Sequence, residues 1–282
     1  MMRTIRTLCV VMIGVAVGAL ATSCGSSDKV VSPPERWVLT MADEFDSGTS
    51  PSSELWTIAT GYGPDNEGWG NDEWQEYTTS QDNVRVEGGN LVISALCPNP
   101  PCGKRDGSIT SARIKTEGKA EQKYGRFEAR IKLPEGQGLW PAFWMLGADF
   151  SEVGWPDCGE IDVMELFGQE PEVASGTLHG PGYFGAAPIT TAFRLPDGES
   201  FADDFHVFAV EWDPGRITFS VDSQVYRIVN SSEVSGRGNW VFDHEFFVLL
   251  NLAVGGAAQS PSDTVFPAEM LVDYVRIFER PQ

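Results

Sequence analysis

Beyond residue 36 the chain alternates apolar and polar residues with a period of two, in short runs bounded by Gly, Pro, Asp and Asn. Tyr124 to Leu133 puts Phe127, Ala129, Ile131 and Leu133 on one face and Arg126, Glu128, Arg130 and Lys132 on the other. Arg216 to Val225 alternates as a single run, with Ile217, Phe219 and Val221 opposed by Thr218, Ser220 and Asp222. Leu271 to Phe278 sets Val272, Tyr274 and Arg276 against Asp273, Val275 and Ile277. Asn90–Ala95 reads as a further strand. Phe246 to Ala253 is almost wholly apolar, which predicts a strand covered on both faces. No amphipathic pattern runs for three helical turns, and 30 Gly and 18 Pro spread along the chain discourage long helices. These runs predict an all-β sandwich or barrel, with residues 36–282 as one domain.

The N-terminus follows a different pattern. Arg3 and Arg6 precede a run of apolar, Gly and Cys residues from Leu8 to Ala21. About 14 such residues suit a signal-peptide core and are too few to span a bilayer. Residues 1–23 are therefore read as a signal peptide and 24–35 as a polar tether. Small residues before Cys24 resemble a lipoprotein cleavage box, which would anchor the exported protein in the bacterial cell envelope through a lipid on Cys24. Ordinary signal cleavage, leaving a secreted or periplasmic protein, is the alternative.

Composition narrows the partners. The formal net charge is −20, and without residues 1–23 there are 18 basic against 40 acidic residues. Such a surface repels nucleic acid and anionic lipid and favours a neutral partner. The expected state is a monomer. Of five cysteines, Cys97 and Cys102 flank a Pro-rich stretch and read as a disulfide-closed loop, while Cys158 reads as a packed thiol.

The candidate chemistry lies in Gly159-Glu160-Ile161-Asp162-Val163-Met164-Glu165-Leu166-Phe167. Acids among such apolar residues are costly unless they face a wet cleft or are paired. On a helix Glu160 and Asp162 would diverge by about 200°; on a strand they share a face. Glu165 would then point the other way, unless a β-bulge near Val163-Met164 adds one residue and returns it to the acid face. Two such Glu carboxyls can approach to about 5–6 Å, the separation of a retaining glycosidase. Surface acids on an edge strand and a calcium cluster are weaker readings. Upstream, Trp140, Phe143 and Trp144 offer aromatic faces on which pyranose rings stack.

The motifs Glu-Ile-Asp-Val-Met-Glu at 160–165, Trp-Pro-Ala-Phe-Trp-Met-Leu at 140–146 and Tyr-Gly-Arg-Phe-Glu-Ala-Arg at 124–130 resemble glycoside hydrolase family 16. The branch they are most similar to is that of bacterial laminarinases, the endo-β-1,3-glucanases. Trp69 to Gln75, Thr110 to Ile114, Asn251 to Gly256 and Val272 to Arg276 extend the likeness over most of residues 37–280. The six-residue acid motif marks the bulged branch, whereas lichenases and carrageenases use five residues. The resemblance implies a concanavalin-like β-jelly-roll sandwich with a concave cleft. It implies Glu160 as nucleophile, Glu165 as general acid/base and Asp162 between them. Asn71, Arg113, Trp140, Trp144 and His179 match substrate-contacting positions. The implied partner is a neutral polysaccharide, a β-1,3-glucan or a mixed β-1,3/1,4 chain, cut without a catalytic cofactor. A structural Ca²⁺ on Glu44, the Gly89 carbonyl and Asp273 is also implied. One departure stands out: the family often continues Gly255-Gly256 with Asn-Trp, and here Ala257-Ala258 follow, so a cleft-rim aromatic is expected to be missing. Another specificity of the family, agar or a related galactan or lichenan, is the alternative substrate reading. A silent carbohydrate-binding protein and a transglycosylase are the alternatives in kind.

Overall fold

Strands with one apolar face need a second layer to cover it, and here two antiparallel sheets cover each other. A computed structural model describes residues 37–281; the predicted signal peptide, the tether and Cys24 lie outside the described residues. The strands are β1 (Val38–Asp43), β2 (Thr57–Ala59), β3 (Glu76–Tyr77), β4 (Val84–Glu87), β5 (Asn90–Ala95), β6 (Thr110–Ser111), β7 (Arg113–Lys115), β8 (Glu121–Gln122) and β9 (Gly125–Lys132). They continue as β10 (Leu139–Gly147), β11 (Glu160–Leu166), β12 (Val173–His179), β13 (Ile189–Arg194), β14 (His206–Asp213), β15 (Arg216–Val221), β16 (Gln224–Asn230), β17 (Phe246–Val254) and β18 (Ala268–Glu279). The one α-helix among the described residues, α1 (Phe150–Val153), is a single turn.

The outer sheet runs β16-β15-β14-β9-β18-β5-β4, with β1 also on β18. The cleft sheet runs β13-β12-β11-β10-β17-β7-β2, with β8 also on β17. Between them one continuous core packs Phe127, Ile131, Trp212, Phe219 and Ile277 from the outer sheet with Phe143, Met145, Ile161, Met164, Val248 and Leu250 from the cleft sheet. This is the jelly-roll sandwich expected. Strand β17 is buried at every position, as its unbroken apolar run requires.

Two strand readings are corrected. Residues 216–225 are not one strand: Asp222 and Ser223 take φ of 49° and 68° and turn the chain from β15 into β16. Positive φ at both central residues is the hairpin geometry that matches strand twist. In β18, Val272 does not share a face with Tyr274 and Arg276. Its register with β9 shifts between Val272 and Tyr274, so Val272 enters the core together with Val275 and Ile277. One extra residue reverses the phase of everything after it. The disulfide Cys97–Cys102 is present, and Cys158 is a free, buried thiol, pushed up to about 12 by burial.

Candidate active site

Strand β11 supplies the acids. Against β12, Asp162 faces Thr177 and Glu165 faces Ser175, so three steps on β11 match two on its neighbour. Against β10, Met164 faces Phe143 and Asp162 faces Trp144, leaving Val163 as the extra residue. This is the bulge the acid spacing requires. Its signature is that Val163 and Met164, adjacent in sequence, both enter the core. Glu160, Asp162 and Glu165 consequently share the cleft face. Gly159 leads into the strand at φ 72°, where a Cβ would meet Val241, Phe246 and Phe242 within 3.3 Å. A side chain there would displace Glu160.

The three acids differ in their partners. Trp140, one strand away on β10, donates its indole N–H to Oε1 of Glu165 at 2.9 Å. His179, opposite Glu160 on β12, places Nε2 3.3 Å from Asp162 and 3.8 Å from Glu160. Asp162 is only 3% exposed. Among the described residues, no Lys or Arg forms an ion pair with any of the three; His179 is the one basic side chain in contact with them. Burial raises the Glu160 pKa well above its ordinary value, and the charge of Asp162 adds to the effect. Asp162 is raised by burial and by the Glu165 charge. Glu165 is raised by burial too, with the Trp140 hydrogen bond and His179 pulling back. Packed together, the acids cannot all be ionised, so the cluster retains protons where lone carboxylates would have lost them.

The sheet lays out the rest of the site strand by strand. Beyond Trp140 and Trp144 on β10 come Asn251 on β17 and Arg113 on β7, paired in register. Three strand spacings from β11 to β7 make about 14 Å. Trp144 donates its indole N–H to Asn251 Oδ1 at 2.8 Å. The Arg113 guanidinium lies between two indoles, 4.6 Å from the Trp69 ring and 4.7 Å from the Trp144 ring. Asn71 stands in the tight turn Gly68–Asp72 and donates to Glu73 Oε1 at 3.3 Å. All five sequence-predicted contact residues therefore line one face with the acids. On the other side of the acids, the Trp155 ring sits 5.9 Å from His179 and edge-on to Phe184 at 5.3 Å. Sequence reasoning left out Glu73, Trp69, Asn251, Trp155 and Phe184 as site residues. Glu73 and Trp69 stood inside a recognised motif; Phe184 carried no signal. After the glycine pair, Gly256–Ala258 form a short 3-10 turn that ends in a buried Ala258.

The calcium set is arranged differently from the acids of the cleft. Glu44 accepts from Arg276 through both oxygens at 2.8 Å, and Arg276 stacks on Tyr274 at 3.7 Å. Asp273 accepts from Arg130 at 2.8 Å. Two carboxylates and a carbonyl are hard oxygen donors of the kind Ca²⁺ takes. Here, however, both acids already hold arginines, so a cation would compete with Arg276 for Glu44. His206 pairs with Asp222 at 2.6 Å at the start of β14 in the outer sheet.

Comparison with known proteins adds a family. The sequence pattern of glycosyl hydrolases family 16 matches residues 71–274. The chain is 39% identical over 279 residues to a beta-glucanase of Rhodothermus marinus, covering 95% of this chain and 92% of that protein. Among solved structures, the endo-beta-1,3-glucanase of Pyrococcus furiosus superposes with a TM-score of 0.81 at 46% identity, covering 87% of this chain and 95% of that one. The laminarinase catalytic domain of Thermotoga maritima MSB8 gives 0.82 at 44% identity, covering 88% and 100%.

Proposed function

This chain belongs to glycosyl hydrolases family 16, and from that premise we propose that it cuts β-1,3-glucan chains internally, with retention at the anomeric carbon. The observation that carries the reading is the bulged strand β11, which gathers two glutamates and an aspartate on one face with no lysine or arginine among the described residues to neutralise them.

In this reading Glu160 attacks the anomeric carbon while Glu165 passes its proton to the leaving glycosidic oxygen. The shorter chain departs and a glycosyl ester on Glu160 remains. Water then gives a proton to Glu165, its oxygen bonds to the anomeric carbon, and Glu160 leaves as carboxylate. The raised pKa of Glu165 keeps it protonated for the first step. For Glu160 to attack it must be ionised, although burial raises it as well. Asp162 beside it resolves this: the two share one proton, which rests on Glu160 in the free site, and its passage to Asp162 leaves the negative charge on Glu160 for attack. His179 stabilises the charge of the pair. Two carboxylates suffice for this chemistry, and no cofactor enters it.

Trp140, Trp144, Asn71 and Arg113 are assigned to the bound glucan. Mixed β-1,3/1,4 chains are the second substrate class in this reading. The net charge of −20 disfavours sulfated galactans. The test is reducing-sugar release from laminarin, lichenan, curdlan and agarose. Release from laminarin is expected; activity on agarose alone would move the substrate and keep the mechanism, and binding without turnover would leave a lectin.

Two finer readings accompany this one. Calcium is assigned to Glu44, Gly89 and Asp273 as a structural ion, which would raise the melting temperature relative to EDTA; equal melts would leave Arg276 and Arg130 as the resident partners of those acids. Export with a lipid on Cys24 is assigned from the N-terminal residues. It predicts that the full chain partitions into detergent and that Cys24→Ala does not.

A further inference from the structure

The mechanism does not use the buried acid Glu73. Glu73 is 3% exposed and lies behind the wall of the cleft. Its side chain shares a face with Gln75 and Tyr77, the alternate residues of an extended segment, and both donate to it. Gln75 Nε2 reaches Oε2 at 2.6 Å and Tyr77 reaches the same oxygen at 3.1 Å. On the other oxygen it receives Asn71 Nδ2. The chain continues outward: the Tyr77 hydroxyl lies beside Asn251, which accepts the indole N–H of Trp144 at 2.8 Å. Gln75 in turn accepts the backbone N–H of Val254 at 2.7 Å, tying the group to β17. Arg113, clamped between Trp69 and Trp144, is the cation whose charge reaches Glu73.

A buried carboxylate is costly unless its lone pairs are filled and its charge is balanced. The lone pairs of Glu73 are filled, the Arg113 charge offsets part of the burial that raises its pKa, and Asn71 and Arg113 are themselves residues of the cleft. Shape alone does not need a carboxylate at this point, since a buried glutamine or an apolar side chain would fill the space.

We propose that Glu73 is the positioning residue of the glucan-binding wall: its carboxylate fixes Asn71 and, through Tyr77 and Asn251, Trp144, and balances the Arg113 guanidinium between the two indoles. The proposal rests on the glucanase reading above. It places Glu73 out of contact with substrate, acting on affinity through residues that touch it.

The test is Glu73→Gln in the full chain, with laminarin as substrate and KM and kcat measured separately. Gln keeps the volume and removes the charge and one acceptor. KM is expected to rise about tenfold or more, the range for a lost hydrogen bond to a charged group, with a smaller change in kcat. The same substitution is then made in an Arg113→Met background, with melting temperatures of all four proteins. If Glu73 works through Arg113, its effect on KM shrinks in that background. A KM unchanged by Glu73→Gln, or one that rises equally with and without Arg113, overturns the proposal and leaves Glu73 a packing residue. Should Glu73→Gln fail to fold, Tyr77→Phe, which removes only the hydroxyl link between Glu73 and Asn251, takes its place; an unaltered KM there overturns the relay. A wild type inactive on every β-glucan overturns the glucanase reading first, and this proposal with it.

Discussion

Both sheets carry acids in quantity, yet they treat them in opposite ways. On the outer sheet nearly every carboxylate meets an arginine. Arg126 bridges Glu128 and Glu211, Arg130 holds Asp273, Arg276 holds Glu44 and Arg280 holds Asp213. The Arg126–Glu128 pair is the least exposed of these, at 15% and 11%. On the cleft sheet Asp162 is buried and Glu160 and Glu165 partly so, and among the described residues their side-chain partners are His179 and the Trp140 indole, with no Lys or Arg. One region matches charge to charge and gains order; the other withholds the match and gains reactivity. An unpaired, buried acid is unfavourable for folding and is what proton transfer and nucleophilic attack require.

The sharpest break in that contrast comes from substitution within the cleft. Glu160→Gln and Glu165→Gln should each lower kcat on laminarin by about 10³-fold or more without lowering the melting temperature. Equal loss of stability would mean that the acids serve the fold. On the outer sheet Arg126→Met should do the reverse. It should cost about 2 kcal/mol, or about 4–8 °C of melting temperature, because two partly buried carboxylates are stranded, while activity stays near wild type. Asp162→Asn sharpens the comparison through pH. The folded-state pKa of Asp162 lies above its unfolded value of about 4. The stability tied to its proton is therefore full below that value and is lost as pH rises through the folded pKa. Asp162→Asn should melt higher than wild type at pH 8 by a few degrees, with the gap closing at pH 4; a constant gap would deny the linkage. The smallest effect is expected from Arg130→Met. Its pair with Asp273 is more than one third exposed on both sides, and such pairs contribute about 0–1 kcal/mol. Thermal scans of Arg126→Met and Arg130→Met side by side would rank the two.

The period-two pattern made the sandwich legible, since each strand that alternates has to bury one face. What it could not carry was phase. Val272 was placed on the wrong face because the extra residue at Asp273 is invisible in polarity. The bulge in β11 was legible only because its acids had to converge. Residues 216–225 looked continuous because Val225 falls back into the apolar phase after the two-residue turn at Asp222 and Ser223. In the site, the acids, both predicted tryptophans, His179, Arg113 and Asn71 stood in motifs, and the sheet brings them to one face. Glu73 escaped notice because its importance lies in four partners spread from residue 71 to residue 113. Trp155 and Phe184 escaped because they meet only where the loops after β10 and β12 come together.

The bulge at Val163 also bears on how this strand could change length. A side chain normally switches faces when one residue is lost before it, so most strands cannot absorb a single-codon deletion. Here the residue in excess is the one that both neighbouring strands already skip. Removing it would restore plain alternation and leave Glu165 on the same face as Glu160 and Asp162, at the expense of one side chain in the core. Of all positions in the sheet, this is the one where a deletion conserves the chemistry, so strands of two lengths can be joined by one viable genetic step.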